Sequence, residues 1–112
     1  MVDKEKLERA LEQFRLCSPV FIALGDATRQ KILTDLAEAG QEGINVARLS
    51  EKSVLSRPAV SHHLKVLKDS EIIEPMKRGT QIFYRLRLKK KLAAVRELIC
   101  TVEEIAAEEE DS

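Results

Sequence analysis

The sequence predicts a mainly α-helical fold that carries one two-stranded β-hairpin in its second half. Three observations point to it. Apolar residues recur at spacings of three and four from Lys4 to Leu16 and again from Leu92 to Ala106, the period of helices with one buried stripe. Between these stretches, two short apolar-faced segments, Ile44 to Lys52 and Arg57 to Lys68, are joined by a tight turn. Directly after them, the turn signal Lys77-Arg78-Gly79-Thr80 divides two stretches of strand character.

Taken in order, the first helix carries Leu7, Ala10, Leu11 and Phe14 on one face, and Pro19 is expected to break it. A short helical turn through Val20, Phe21, Ile22 and Leu24 then ends at Gly25. Asp26 or Thr28 caps a second helix with the apolar face Ile32, Leu33, Leu36 and Ala37, closed by Gly40 and Gly43. In the next short segment Val46, Ala47 and Leu49 are the expected buried positions. Ser56 is placed to cap the helix that follows, with Pro58 in its first turn and Val60, Leu64 and Leu67 on its inner face. Two short helices around a tight turn, the second with polar residues outward, make a helix-turn-helix. Ile72 to Met76 and Gln81 to Leu86 form the hairpin, whose basic tip directly after a helix-turn-helix reads as a wing. The last helix carries Leu92, Val95, Leu98, Ile99, Val102, Ile105 and Ala106, and is expected to dissolve into the acidic tail from Glu108 to Ser112.

With 112 residues the chain is expected to form a single winged helix-turn-helix domain over 1–112. Its parts are dimerisation helices at 1–16 and 89–107, the helix-turn-helix at 44–70 and the wing at 72–87. The exposed stripes Leu7, Leu11, Phe14 and Leu92, Val95, Ile99, Val102 offer more apolar surface than one small domain can cover, which predicts a homodimer through the first and last helices. No segment reads as a signal peptide or membrane span, so the expected location is cytoplasmic.

Equal numbers of basic and acidic residues, 19 of each, give no net charge, but the charge is sorted along the chain. Residues 52–91 hold eleven Lys and Arg against three acids, a balance of +8 between acidic ends. The helix from Arg57 to Lys68 has the dimensions of a major groove, and its outward positions suit double-stranded DNA. Ser56, Arg57, Pro58, Ser61, His62, His63 and Lys65 are the candidate contacts there, with Arg57 suited to guanine and Lys65 to a phosphate. At the wing tip, Lys77, Arg78, Thr80 and Gln81 suit phosphates or an adjacent minor groove.

The run from Phe21 to Leu86 resembles the ArsR family of winged-helix repressors. The likeness is carried by Ala23-Leu24-Gly25-Asp26-Ala27-Thr28-Arg29, by Leu55-Ser56-Arg57-Pro58-Ala59-Val60-Ser61-His62-His63-Leu64, and by Arg78-Gly79-Thr80-Gln81-Ile82-Phe83-Tyr84. The resemblance implies a homodimer on a pseudo-palindromic operator, released by an inducer. It departs at Glu71, where the family often has Gly, so the recognition helix is expected to close differently. The metal sites the resemblance would imply do not carry over: Asn45 and Ala47 stand where Cys is required, and Leu88, Lys90, Thr101 and Glu104 occupy the other site, three of them unsuitable. No metal site and no cofactor are therefore expected.

Cys17 and Cys100 are read first as small buried apolar residues, with a thiol switch between the dimerisation helices as the alternative. No nucleophile motif, phosphate loop or metalloprotease motif is present, which argues against an enzyme. The function expected is a sequence-specific DNA-binding regulator, a repressor released by a signal. The competing readings are a winged-helix protein-interaction module without DNA, and a metal-responsive repressor with atypical ligands.

Overall fold

The computed structural model describes residues 2–110 and contains five α-helices and three strands. The order is α1 (Lys4–Leu24), α2 (Ala27–Ala39), a 3-10 turn (Gly40–Glu42), β1 (Ile44–Asn45), α3 (Val46–Glu51), α4 (Arg57–Asp69), β2 (Ile73–Arg78), β3 (Gln81–Leu86) and α5 (Lys89–Glu110). The fold is a winged helix-turn-helix, as the sequence predicts, with one strand more than expected. Ile44 and Asn45 pair antiparallel with Tyr84 and Phe83, giving a sheet of order β1-β3-β2. Two residues of extended backbone are too few to show a strand period, so only the partner strand reveals them.

The chain divides into two compact units: the chain up to Ser18 with the chain from Lys89, and Pro19–Leu88. In the first unit, Lys6 pairs with Glu108 and approaches Glu104 at 3.8 Å, so the start of α1 lies beside the end of α5. Ala10, Cys17, Leu98 and Thr101 are buried. Leu7, Leu11, Phe14, Leu92 and Ile99 are exposed, Leu11 by 71%, while Val95 and Val102 are half-buried. The tail stays helical to Glu110 and does not unwind at Glu108; its last positions, 111–112, lie outside the described residues.

Pro19 does not break α1, contrary to the sequence expectation. A proline removes one backbone donor from the helix ladder. Here the Ser18 hydroxyl donates to the Phe14 carbonyl at 2.8 Å, adding a bond in the same turn, and Val20 and Ala23 beyond the proline are buried. Burial of the following turn outweighs the local cost.

The second unit is built round Ile32, Leu36, Leu49, Val60, Leu64, Leu67 and Ile72, each at most 3% exposed. Each such aliphatic side chain contributes about 1.5–3 kcal/mol when buried. Together they fix α4 against α2, α3 and β2. Asp26 caps α2 by accepting from the Arg29 backbone N–H at 2.9 Å, and Gly40 closes it at φ 69°. Ala37 is exposed, and Asp35 is buried in its place, bonded by Lys31 at 2.6 Å. Val46 and Ala47 are only half-buried, since Ile44 takes the inner position beside Leu49. At Gly43, a Cβ would stand 2.7 Å from the Tyr84 carbonyl oxygen, so the entry to β1 tolerates no side chain.

No helix among the described residues is long and apolar enough to cross a membrane.

Candidate nucleic-acid interface

The turn between α3 and α4 is held by its own serines. Ser50 Oγ donates to the Leu55 carbonyl at 2.8 Å, and Leu55 N–H donates to Ser53 Oγ at 3.1 Å. Ser56 then caps α4, its hydroxyl accepting from Ala59 N–H at 3.3 Å, and Pro58 occupies the first turn where no backbone donor is needed. With Val60, Leu64 and Leu67 buried, a helix turning about 100° per residue must present Arg57, Ser61, Lys65 and Lys68 on one outward face, with His62 and Pro58 beside them. All six are exposed.

The hairpin turns at Gly79-Thr80 between the paired residues Arg78 and Gln81. Gly79 has φ +63°, which a glycine adopts at no steric cost and which a two-residue hairpin of matching twist requires. Lys77, Arg78, Thr80 and Gln81 are exposed around it. A single groove is lined by Arg57 and Ser61 of α4, Thr80 and Gln81 of the hairpin, and Asn45 to Ala47. α4 and the hairpin tip therefore share one concave surface.

Asn45 does two things that sequence reasoning missed. Its Oδ1 accepts from Arg48 N–H at 2.9 Å and caps α3, while its Nδ2 donates to Gln81 Oε1 at 2.8 Å and anchors the wing. An Asn directly ahead of a short helix is the signal that could have found the cap. The wing anchor has no local signal, because it joins residues 36 positions apart.

The basic segment is partly neutralised by its own acids. Lys65 pairs with Asp69 at 2.9 Å, Lys52 approaches Glu38 at 3.7 Å, and Glu74 binds both Arg85 at 2.9 Å and Arg87 at 3.3 Å. Arg78 lies over the Phe83 ring, 4.9 Å from its centroid. Among the described residues, Arg57, Lys68 and Lys77 have no ion-pair partner.

His63 differs from His62. It is half-buried, with Nδ1 3.4 Å from Arg29 Nη1, so it turns toward α2 and away from the outward face. Arg29 is itself anchored, donating through Nε to the Ala23 carbonyl and through Nη2 to the Ile22 carbonyl, both at 2.8 Å. The backbone bond from Arg29, and then the charge of its guanidinium, hold the Asp26 carboxyl below its ordinary pKa.

α4 closes on Glu71 at φ +62°. Glu71 N–H donates to the Lys68 carbonyl at 2.9 Å and Ile72 N–H to the Leu67 carbonyl at 3.3 Å, the two bonds of a left-handed Schellman cap. The helix thus ends as a glycine would end it, which corrects the expectation of a different closure.

Cys17 is buried and Cys100 is exposed, so the reading of both as buried side chains fails for Cys100. α5 places Cys100 outward because Leu98 and Thr101 take its inner positions. Among the described residues no group of three or more His, Cys, Asp or Glu is placed to hold a metal ion.

The profile described as "Bacterial regulatory protein, arsR family" matches residues 26–74. An uncharacterized HTH-type transcriptional regulator of Methanocaldococcus jannaschii, MJ1325, is 35% identical over 91 residues, covering 79% of this chain and 100% of that protein. The transcriptional repressor SdpR of Bacillus subtilis is 40% identical over 67 residues, 60% of this chain and 71% of its own. An ArsR-like transcriptional regulator from Rhodococcus sp. RHA1 superposes with a TM-score of 0.69 at 31% identity, over 90% of this chain and 86% of that one. The chain belongs to the ArsR family and is a DNA-binding transcription regulator.

Proposed function

We propose that two copies of the chain join through α1 and α5 and bind a pseudo-palindromic operator as a cytoplasmic repressor that a signal releases. The observation that carries the DNA contact is the shared groove, in which Arg57 and Ser61 of α4 face Thr80 and Gln81 of the hairpin. In this reading residues 44–70 act as the helix-turn-helix and 72–87 as the wing. Arg57, Ser61 and His62 read base edges, while Ser56 and Lys68 sit at the backbone and Lys65, held by Asp69 at 2.9 Å, joins them where that pair opens. Lys77, Arg78 and Thr80 grip phosphates beside the wing.

The dimer is supported by the apolar residues left exposed on α1 and α5, which an isolated protomer would present to water. Two recognition helices then meet successive major grooves roughly 34–36 Å apart. The repressor role follows the likeness to SdpR.

The test has two arms. Genomic fragments selected with the purified protein should contain an inverted repeat, bound more tightly than random duplex, with affinity falling steeply as salt rises. Sedimentation at micromolar concentration should show a dimer that Leu11→Glu converts to monomer. A protein that stays monomeric, or that binds all duplexes alike, would refute the operator model.

A further inference from the structure

We propose that Arg29 is a positioning residue for DNA recognition, a strut that sets the roll of α4 by holding His63. This rests on the reading of α4 as the recognition helix. The guanidinium is fixed at one end by two carbonyls of the last turns of α1, Ile22 and Ala23, each accepting at 2.8 Å. At its other end Nη1 meets His63 Nδ1 at 3.4 Å. A guanidinium only donates, so Nδ1 is the acceptor and the ring proton sits on Nε2.

The position of His63 makes this contact a control on roll. At about 100° per residue, His63 flanks the buried stripe Val60, Leu64, Leu67 on one side, and Arg57, Ser61 and Lys68 flank it on the other. The aliphatic stripe fixes the depth of α4, but hydrophobic contacts are non-directional and supply no bond that singles out one roll angle. A directional bond on one flank governs how far the opposite flank turns toward DNA. Arg29 also lies on the cap of α2, its own N–H bonded to Asp26, so the strut has a fixed foot on two helices.

The two histidines consequently separate in role. His62 stays exposed at the surface, whereas His63 belongs to the strut and acts on DNA only through the helix it orients.

The test compares His63→Leu, His63→Gln and Arg29→Leu, using the duplex selected by the natural protein and a random duplex. His63→Leu removes the acceptor and should lower the ratio of selected to random affinity by about tenfold, a change of about 1.4 kcal/mol. His63→Gln keeps an acceptor oxygen and should restore most of the ratio. Backbone amide spectra should remain folded for both His63 variants, and the Arg29 Nε–H resonance should move in His63→Leu and less in His63→Gln. Arg29→Leu should reproduce the loss if it folds, and the His63 pair decides the matter if it does not. A folded His63→Leu with an unchanged ratio, or a His63→Gln as impaired as His63→Leu, would overturn the strut alone. A natural protein that selects no duplex would overturn the strut and the DNA reading together.

Discussion

Replacing Glu71 by glycine should make the protein more stable without altering what it binds. Glu71 is the one non-glycine residue among those described with a positive φ. A side chain in the left-handed region costs about 1–2 kcal/mol through the clash of Cβ with the following carbonyl. Glycine removes that clash but gains freedom in the unfolded chain worth about 0.4–1 kcal/mol. The net gain should be about 0.5–1 kcal/mol, or roughly 2–4 °C in melting temperature for a chain of this size. Urea unfolding of Glu71→Gly against Glu71→Ala isolates the cause, since alanine discards the carboxylate and keeps the Cβ. The two Schellman bonds and the burial of Leu67 and Ile72 do not involve the side chain of residue 71, so operator affinity should stay the same. If Glu71→Ala stabilises as much as Glu71→Gly, side-chain interactions and not backbone strain decide the matter, and the reasoning fails.

Three further outcomes follow from the geometry. Lys77→Ala or Arg78→Ala should weaken binding to selected and random duplexes alike and flatten the salt slope by about one unit per lost phosphate contact, whereas Arg57→Ala should act mainly on the selected duplex. The Asp26 carboxyl is held below its ordinary pKa by the backbone bond from Arg29 and by the charge of its guanidinium. Its stabilising effect is therefore complete above the unfolded carboxylate value of about 4 and is lost below it, as pH falls through the lowered value of the folded chain. Asp26→Asn keeps the cap acceptor and should flatten the acid limb of the urea midpoint between pH 6 and 3; an unchanged limb would show that Asp26 does not contribute to it. Glu108, held down by Lys6, adds to the same limb in both proteins. Zinc, cadmium and arsenite under reducing conditions should leave operator affinity unchanged, because Asn45, Ala47, Leu88, Lys90 and Thr101 fill the positions where the family resemblance implies ligands; a measurable shift would require a site assembled from other residues.

What could be read from the sequence was whatever repeats with a period or sits beside a strong punctuator. The stripes Ile32/Leu36 and Val60/Leu64/Leu67 sit where a 3.6-residue period puts them, and Ser56, Asp26 and Gly40 cap as their chemistry dictates. The failures share another cause. Pro19 is locally a helix breaker, yet the turn after it is buried, and tertiary packing overrides propensity. β1 and the Asn45–Gln81 bond depend on a partner some 36–40 positions away in the chain, and no window on the sequence contains both ends. The two adjacent histidines are indistinguishable in one dimension; only the placement of Arg29 separates the ring turned toward α2 from the one left at the surface.

The pairing of charges in the folded chain changes what the basic segment can do. Counted along the sequence, residues 52–91 carry eleven cations, and if every one in two protomers met a phosphate the slope of log K against log salt would approach roughly −20, at about −0.9 per phosphate. The structure leaves far fewer free. Glu74 takes Arg85 and Arg87, Asp69 takes Lys65 and Glu38 takes Lys52. With Arg57 directed at a base edge, and Lys89, Lys90 and Lys91 carried on α5 outside the helix-turn-helix and hairpin, Lys68, Lys77 and Arg78 remain on the α4 and hairpin surface for phosphates in each protomer. Six contacts in a dimer give a slope of about −5. Affinity for arbitrary DNA should then be modest, and discrimination must come from the face of α4 and from how firmly that face is held in register. A measured slope near −5 on the selected duplex fits this division between grip and reading. One steeper than about −11, more than Lys68, Lys77, Arg78, Lys89, Lys90 and Lys91 of two protomers could give at about −0.9 each, would mean that the ion pairs open on binding and that the acids beside them regulate affinity, not merely fold the chain.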